Sequence, residues 1–513
     1  MTTPSSTAGP PAAAPESDKI DGAVLKIATV VVLGAIMSIL DVTVVSVALP
    51  TFVREFDATV ATVAWTMTAY TLALATIIPV TGWAADRFGT KRLYLTALVL
   101  FVIGSVLCAF AGNIAMLIVF RVIQGLGGGM LMPLGMTIMT RAAGPERIGR
   151  VMAVLGIPML LGPICGPILG GWLIDAASWH WIFLINLPVG IVALAAAVKL
   201  LPKDAPSPSQ TFDFVGMLLL SPGLALFLFG VSSIPEAGTI ASARVLVSAG
   251  IGLVLIVGFV FHALRKDHPL IDLRLFRNRQ LTFAVLTTTL FIIAFMGAGL
   301  IFPSYFIQVR GESTLAAGLL LAPQGIGAML TMPVAGRLVD KLGPGKVVLT
   351  GLPLIAIGMF TFTQLSADSS YVLLLGSLFV MGLGMGATMM PLMTAAMATL
   401  KHEMVARGST LMNIVQQTAG SIGTAIMSVV LTNQMLDRPD GGAAVASRDN
   451  PAIAQQIPPS VLERGFDAAA DAFGNTFLVA FVLVLVTLIP AFFLPRRAIV
   501  PEGEDAQQPV LMH

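Results

Sequence analysis

Asp41, a carboxylate deep inside an apolar stretch, is the residue of this chain best suited to chemistry. It lies within the apolar residues from about 24 to 48, and no other acid lies as deep in such a stretch. A carboxylate inside a bilayer costs about 2.5 to 3.5 kcal/mol on insertion scales, so an acid kept there usually has a partner or a task. The uptake and release of a proton is the chemistry open to it. A structural hydrogen bond between helices is the alternative.

Arg121 is the basic side chain best placed to pair with Asp41. It follows the start of the apolar stretch 114–138 by seven residues, and Asp41 precedes the end of its own stretch by seven. At about 1.5 Å of rise per residue, both lie roughly 10 Å from the same membrane surface. Burial favours the neutral acid and a guanidinium favours the carboxylate, so we expect Asp41 to carry a proton and Arg121 to hold its deprotonated form. A permanent structural ion pair is the alternative.

The elements that position these residues are membrane-spanning helices. Hydrophobic residues make up 56% of the chain and charged residues 11%, against about 25% charged in soluble domains. The net charge of +2 forms no basic face, so no nucleic-acid partner is expected. Fourteen apolar stretches are long enough to span a bilayer, at about 20 residues each. They run approximately over 24–48, 62–84, 93–112, 114–138, 150–174, 181–200, 214–235, 241–263, 281–303, 316–339, 346–365, 370–396, 408–432 and 474–495.

The distribution of Lys and Arg predicts the orientation, because cytoplasmic loops carry the excess of positive charge. Placing both termini inside puts 22 of the 29 basic residues on the cytoplasmic side, with Arg121 within the membrane. The remaining six lie outside: Arg54, Arg244, Arg310, Arg438, Arg448 and Arg464. The sequence therefore predicts cytoplasmic termini.

A repeated loop shows that the chain is an internal duplication. The first copy joins the second and third spans, the second copy joins the tenth and eleventh, and matching residues lie 254 positions apart. They are Pro79, Val80, Gly82, Asp86, Arg87, Gly89 and Arg92, followed by Pro333, Val334, Gly336, Asp340, Lys341, Gly343 and Lys346. Repeats of this kind indicate a membrane transporter built from two related halves.

The two copies are eight helices apart, so two helices are inserted between two bundles of six. A weaker match between Gly125–Leu134 and Gly382–Leu392 has the same offset. The predicted fold is an all-α polytopic membrane protein with fourteen transmembrane helices. Its predicted divisions are a disordered cytoplasmic tail (1–20), an N-terminal six-helix bundle (21–200), a linker with two extra helices (201–264), a cytoplasmic loop (265–280), a C-terminal six-helix bundle (281–495) with an external loop (433–473), and a cytoplasmic tail (496–513).

Several motifs together resemble the fourteen-spanner drug:proton antiporters of the major facilitator superfamily, over nearly the whole chain. Leu40–Pro50 resembles their first-helix motif, with Ser46 for the usual Asn, and Gly82–Arg92 resembles the signature loop of the superfamily. The fourth-helix motif is matched by Arg121, Gln124, Gly125, Gly127 and Gly128, and the fifth-helix antiporter motif by Gly162, Pro163, Gly166, Pro167, Gly170 and Gly171. Trp179–Gly190, with His180 where Arg is common, and Pro269–Phe276 are further likenesses. The resemblance implies the major facilitator fold and export in exchange for protons.

Two of these motifs also have a physical interpretation. The glycines of the fifth helix recur every four residues and predict a face for close helix packing, while its prolines remove backbone donors and bend it. Gly89 and Gly343 can take the positive φ of a tight helix end. The resemblance implies a conformational latch that stabilises the outward-facing state, and a purely topological role is the alternative. The latch residues are Gly82, Asp86, Arg87, Gly89, Arg92, Asp340 and Lys341.

Polar and aromatic residues within the spans are the guide to substrate contacts. The candidates for the substrate cavity are Trp65, Tyr70, Gln124, Asn186, Tyr305, Gln308, Asn413, Gln416 and Gln417. The 26 Met residues add adaptable apolar surface. With a single deep acid, the cavity has no second carboxylate for a cation, which favours neutral or weakly charged amphipathic compounds.

The sequence therefore predicts proton-coupled efflux of such compounds across a bacterial cytoplasmic membrane by alternating access. It contains no phosphate loop of the form G-x-x-x-x-G-K-[ST] and no metal cluster. We expect a monomeric transporter rather than an enzyme, driven by the proton motive force without a cofactor. Export of an endogenous lipid, siderophore or metabolite is the alternative within transport, and a membrane sensor or scaffold is the alternative outside it.

Overall fold

The computed structural model describes residues 22–143, 148–202, 211–237, 239–398, 400, 404–449 and 457–496. The predicted tail at 1–20 lies outside these residues, as does the predicted C-terminal tail beyond Arg496. The described part is helical and contains no strand. Thirteen helical segments of the described part, three of them made of two successive helices, are long and apolar enough to cross a membrane, against fourteen predicted. A helix in a membrane satisfies its own backbone hydrogen bonds.

The N-terminal bundle follows the six predicted spans. Its helices are α1 (Gly22–Glu55), α2 (Val60–Phe88), α3 (Thr90–Ala109), α4 (Ile114–Ala143), α5 (Ile148–Ala176), α6 (Trp181–Leu184) and α7 (Asn186–Leu200). Helix α5 occupies the fifth predicted span, and α6 and α7 together occupy the sixth. Helix α4 packs along both α2 and α3, and α5 packs along α1.

Two inserted helices form a hairpin against both bundles. Their elements are α8 (Phe214–Ser232), the short α9 (Ile234–Ala237) and α10 (Ala243–Arg265). Helix α8 contacts α2, where Trp65 stacks on Phe229 at 5.5 Å between ring centroids. Leu220 and Leu224 of α8 also pack with Leu411 of the C-terminal bundle. The predicted insertion is therefore a hairpin that covers the boundary between the bundles on one side.

The C-terminal bundle repeats the plan of the first, and two of its predicted spans are each divided into two helices. Its helices are α11 (Arg279–Gln308), α12 (Thr314–Leu320), α13 (Ala322–Leu342), α14 (Pro344–Phe362), α15 (Tyr371–Gly386), α16 (Met389–Met397), α17 (Val405–Leu436), α18 (Pro439–Asp449) and α19 (Pro459–Ala491). One predicted span contains α15 and α16, with the break at Ala387 and Thr388.

The connection at 433–473, predicted to be external, is more helical than the sequence indicates. Helix α18 lies within it, and α19 begins at Pro459 rather than near 474. The two helices pack closely, because Gly465 lies against the carbonyl of Asp440 and the side chain of Ala444. The predicted boundary is wrong because hydropathy marks only the apolar part of α19, whereas its first turns are polar and Ala-rich.

Both copies of the repeated loop form the same tight turn. Gly89 ends α2 with φ of 88°, and Gly343 ends α13 with φ of 86°. The predicted positive φ is confirmed at both positions, where a side chain would be strained. We call the end of the molecule that carries these turns the inner end, and the opposite end the outer end; the inner end is the one predicted to be cytoplasmic.

Candidate functional site

Asp41 on α1 and Arg121 on α4 form a buried ion pair. Oδ2 of Asp41 accepts a hydrogen bond from Nη1 of Arg121, and neither side chain is more than 1% exposed. Nε of Arg121 donates to the carbonyl of Thr66 on α2 at 3.0 Å. The guanidinium also lies over the ring of Tyr70, 4.1 Å from its centroid. The two charges expected at one depth are therefore in contact, held by three helices.

Neutral polar side chains surround this pair. Nε2 of Gln124 donates to Oδ1 of Asp41 at 2.7 Å, and its Oε1 accepts from Arg121 at 2.6 Å. Nδ2 of Asn186, on α7, lies 3.5 Å from the same Oδ1. Ser105 on α3 accepts from both amides, at 2.7 and 3.3 Å. We call these five residues the Asp41 cluster.

The Asp41 cluster changes the interpretation of two predicted cavity residues and adds one that was missed. Gln124 and Asn186 are 0% and 5% exposed and hold the carboxylate instead of lining an open cavity. Tyr70, another cavity candidate, is 1% exposed and packs against Arg121. Ser105 was not predicted, because a lone Ser in an apolar helix also bonds to its own backbone in most cases. Its position beside Gly104 is the signal that would have indicated a close helix contact.

The arrangement couples the charge state of Asp41 to the positions of its neighbours. In the ionised state, Arg121 satisfies one carboxylate oxygen, and Gln124 and Asn186 satisfy the other. Protonation removes the attraction and leaves the buried Arg121 without its counter-ion, and removal of one partner from such a pair typically costs about 3 to 5 kcal/mol. Nη2 of Arg121 is already buried without a hydrogen-bond partner in the described part of the chain. A proton on Asp41 therefore favours a different arrangement of these helices.

The glycine face of α5 packs on the turn of α1 that carries Asp41. A Cβ atom on Gly162 would overlap with Ile39, one on Gly166 would overlap with Thr43, and one on Gly170 would lie 3.1 Å from Val44. The predicted close packing is confirmed, and the neighbour is α1. Helix α5 continues through Pro163 and Pro167, whose side chains lie outside the described residues. The predicted bend stays a prediction, and Gly171 faces open space.

Asp86 joins the two bundles at the inner end. Its Oδ1 lies 3.5 Å from Nη2 of Arg141 on α4, and its Oδ2 lies 3.6 Å from Nε of Arg407 on α17. Gly82, one turn earlier, faces α17 so closely that a Cβ atom would lie 2.9 Å from Oγ1 of Thr410. Arg407 was not among the predicted residues, although the run Arg-Gly-Ser-Thr at the start of a span is a signal for a polar helix contact.

The other predicted latch residues lie on the two repeated loops at the inner end. Arg87, Arg92 and Lys341 are exposed at the inner end, and Asp340 is half-buried. The structure thus brings Gly82 and Asp86 of the first copy to the boundary between the bundles. In the second copy, Gly343 forms the matching turn.

Hydrogen bonds between α17 and α4 continue from the Asp86 contact toward the middle of the molecule. Oγ of Ser409 on α17 donates to the carbonyl of Pro133 at 3.0 Å and lies 2.7 Å from Oγ1 of Thr137. Deeper in, Nδ2 of Asn413 donates to the thioether of Met136 at 3.3 Å. The inner halves of α4 and α17 are therefore in direct contact.

A sequence model of the major facilitator superfamily matches residues 31–424. The chain belongs to the major facilitator superfamily. It is 51% identical over 498 residues to a "Multidrug resistance protein B homolog" of Mycobacterium tuberculosis, which covers 94% of this chain and 92% of that relative. It is 31% identical over 421 residues to the "Multidrug export protein EmrB" of Escherichia coli, which covers 81% and 82% of the two chains. Family and fold thus point to a multi-pass membrane transporter of small molecules.

A solved structure agrees with the fold of this superfamily. The human organic anion transporter MFSD10 superposes with a TM-score of 0.61 at 18% identity, over 90% of this chain and 99% of that one. At this identity the likeness concerns the fold alone. It is consistent with two six-helix bundles around a central boundary.

The remaining cavity candidates lie in four environments. Trp65 is 40% exposed and packs on the inserted hairpin. Tyr305 is 0% exposed, donates to the carbonyl of Ser366 at 2.9 Å and packs among aromatic rings, so the structure does not support it as a cavity residue. Gln308 ends α11 at the outer end. The other candidates, Asn413, Gln416 and Gln417, lie on α17, where the bundles meet.

Proposed function

We propose that this protein exports amphipathic organic compounds, drugs among them, across the cytoplasmic membrane in exchange for protons. The observation that carries the proposal is the fully buried Asp41–Arg121 pair, an acid inside the membrane with its counter-ion. The printed names of the relatives, a multidrug resistance protein B homolog and a multidrug export protein, support drugs as substrates. The proton motive force supplies the energy, so the cycle needs no cofactor, and one chain suffices.

In the proposed cycle, Asp41 alternates between an ion pair with Arg121 and a bound proton. When the site opens to the outside, a proton binds Asp41 and releases Arg121 from the ion pair. The freed guanidinium and the amides of Gln124 and Asn186 then rearrange, which weakens the binding of substrate and favours its release outside. After the bundles reorient, the proton leaves Asp41 on the inside, and Arg121 reforms the pair as the next substrate binds.

The contacts at the inner end determine which of the two states, outward-facing or inward-facing, the protein adopts in this cycle. The contacts of Asp86 with Arg407 and of Ser409 with Pro133 close the inner end, which supports an outward-facing arrangement for the structure described here. Separation of α2 and α4 from α17 must break both contacts before the site opens inward. Asp86 thus stabilises the outward-facing state, with both termini on the cytoplasmic side.

Proton flux in proteoliposomes tests the proposal. We expect a panel of lipophilic dyes and drugs to induce proton movement down an imposed pH gradient with the wild type. Asp41→Asn, which keeps the shape of the side chain and cannot carry the proton, abolishes this flux. Asp175→Asn, which removes an exposed acid at the outer end of α5, leaves it unchanged. Equal flux in wild type and Asp41→Asn contradicts the carrier role, and no flux with any compound contradicts drug efflux.

A further inference from the structure

A polar stripe runs along one face of α17 from the inner end toward the middle of the molecule. Ser409, Asn413 and Gln416 are four and three residues apart, so they share one helix face. At the inner end, Ser409 bonds to oxygen atoms of α4, the carbonyl of Pro133 and the hydroxyl of Thr137. Farther along the stripe, sulfur atoms are also among the acceptors.

Two amides of this stripe donate to methionine thioethers. Nδ2 of Asn413 lies 3.3 Å from Sδ of Met136 on α4 and also donates to the carbonyl of Ser409 at 2.8 Å. Nε2 of Gln416 lies 3.8 Å from Sδ of Met393 on α16. A thioether is a weak acceptor. An oxygen acceptor brought to these amides would therefore replace sulfur with a net gain in hydrogen bonding.

Further methionines are buried where the two bundles meet. Met136 and Met393 are each 4% exposed, and Met390 and Met332 are 3% and 1% exposed. Met332 and Met390 both contact Gly156 of α5, across the boundary between the bundles. Met side chains are unbranched and polarisable, so they repack readily and make favourable contacts with aromatic rings. Two thioethers thus contact the amides, and two more lie at the boundary between the bundles.

Movement of the bundles would expose these groups to a ligand. Met136 belongs to the N-terminal bundle and Asn413 to the C-terminal bundle, so inward opening breaks their contact. Gln416 and Met393 stay on one bundle and form one wall of the opened space. The stripe itself carries amides and a hydroxyl and no charged group until Arg407, which lies against Asp86.

We propose that Asn413, Gln416, Met136 and Met393 form a binding site for uncharged aromatic compounds that carry an oxygen acceptor, such as a ketone or an ether. The inference rests on the proposed function and names the class of its substrates. The amides donate to the oxygen in place of sulfur, and the thioethers contact the ring. Because the stripe has no charged group, a permanently charged compound would lose its hydration there without an ion pair to compensate. The site therefore selects against such compounds.

The test is the binding of two compounds that differ by one carbonyl. Tritiated benzophenone and diphenylmethane are compared by equilibrium dialysis against the purified protein in nanodiscs. A single neutral hydrogen bond contributes about 0.5 to 1.5 kcal/mol, so Gln416→Leu is expected to raise the Kd of the ketone about threefold to tenfold. The Kd of the hydrocarbon is expected to change by less than about twofold. Gln364→Leu, which removes an exposed amide just beyond the end of α14, leaves both values unchanged.

Further variants keep the outcome interpretable. If Gln416→Leu folds poorly, Gln416→Met, which keeps the length of the side chain, replaces it. This variant is also expected to raise the Kd of the ketone and to leave that of the hydrocarbon almost unchanged. Met393→Leu weakens both compounds equally, because it removes the sulfur contact to the ring. Equal effects of Gln416→Leu on both compounds, or none, overturn the site. Proton flux in wild type and Asp41→Asn tests the proposed function separately. The ligand site can therefore fail its test while proton-coupled export passes, and the reverse.

Discussion

Asp86 of α2 and Arg407 of α17 meet across the boundary between the bundles, with Oδ2 and Nε 3.6 Å apart. The carboxylate is also 3.5 Å from Arg141 of its own bundle. Both contacts are largely buried, since the side chains of Asp86 and Arg407 are 19% and 8% exposed. One acid of the repeated loop therefore holds both halves of the protein at the inner end.

Loss of Arg407 should loosen the inner end. In Arg407→Ala, Asp86 loses its partner in the other bundle, and we expect a cysteine at Ser409 to react several-fold faster with a membrane-impermeant maleimide applied from the inner side. The measurement is the labelling rate of Ser409→Cys with and without the second substitution. Arg337→Ala, which removes an exposed basic residue of α13, is the control. Equal rates in the Arg407→Ala and control backgrounds contradict the latch.

Gln124 should hold Asp41 and Arg121 in the geometry that proton exchange needs. Gln124→Leu removes the donor 2.7 Å from Oδ1 of Asp41 and the acceptor 2.6 Å from Nη1 of Arg121. We expect the rate of substrate-induced proton flux in proteoliposomes to fall several-fold, because both members of the ion pair lose a positioning hydrogen bond. Ser105→Ala, which contacts Gln124 and Asn186 and not the carboxylate, should lower the rate less. Equal rates in wild type and Gln124→Leu would show that the amide does not position the acid.

The fit of α5 against α1 should be sensitive to a single methyl group. A Cβ atom on Gly166 would overlap with Thr43, two residues from Asp41. We expect Gly166→Ala to lower the free energy of unfolding by about 1 to 3 kcal/mol and to reduce transport, because the turn that carries Asp41 must move. Gly171→Ala is the matched control, since its Cβ meets open space. Thermal unfolding followed by tryptophan fluorescence separates the two variants, and similar melting temperatures would contradict the prediction.

Asp213 should make the inserted hairpin sensitive to acid. Burial raises the pKa of its carboxyl group, but hydrogen bonds from the backbone of Gly216 and Leu270 and from His262 and Lys266 outweigh burial and leave the pKa below its ordinary value. The stabilisation is therefore complete above the unfolded value of about 3.9 and is lost as the pH falls through the folded pKa.

The measurement for Asp213 is the melting temperature in detergent as a function of pH. The wild type should lose stability below about pH 4 more steeply than Asp213→Asn, which lacks the titrating group. At neutral pH the order reverses, and the variant is less stable because its four donors lose the charged acceptor. Parallel pH profiles would show that Asp213 does not anchor α10 to α8.

The sequence predicts contacts best where a charge or a glycine leaves few alternatives. Asp41 and Arg121 are the deep charges of their helices, so depth alone pairs them, and Gly89 and Gly343 end helices in the one conformation that favours glycine. It is harder to predict which neutral residues face the interior of the protein and which face lipid. Lipid and protein interior are similarly apolar, so hydrophobic periodicity does not tell which face of a membrane helix points inward. Tyr305 and Gln124 were assigned to the cavity for this reason.

The duplication has left two halves with different chemistry on the same scaffold. The turns at Gly89 and Gly343 superimpose in backbone angle, yet the ion pair with its polar shell lies wholly in the first half, whereas the second half contributes the neutral amides of α17. In the proposed mechanism, the proton-carrying pair therefore lies in one copy of the ancestral unit, and the amides that bind the ligand lie in the other. Substitutions of those amides should alter the range of exported compounds and leave the coupling to protons unchanged, which would suit this architecture to adaptation to new toxic compounds.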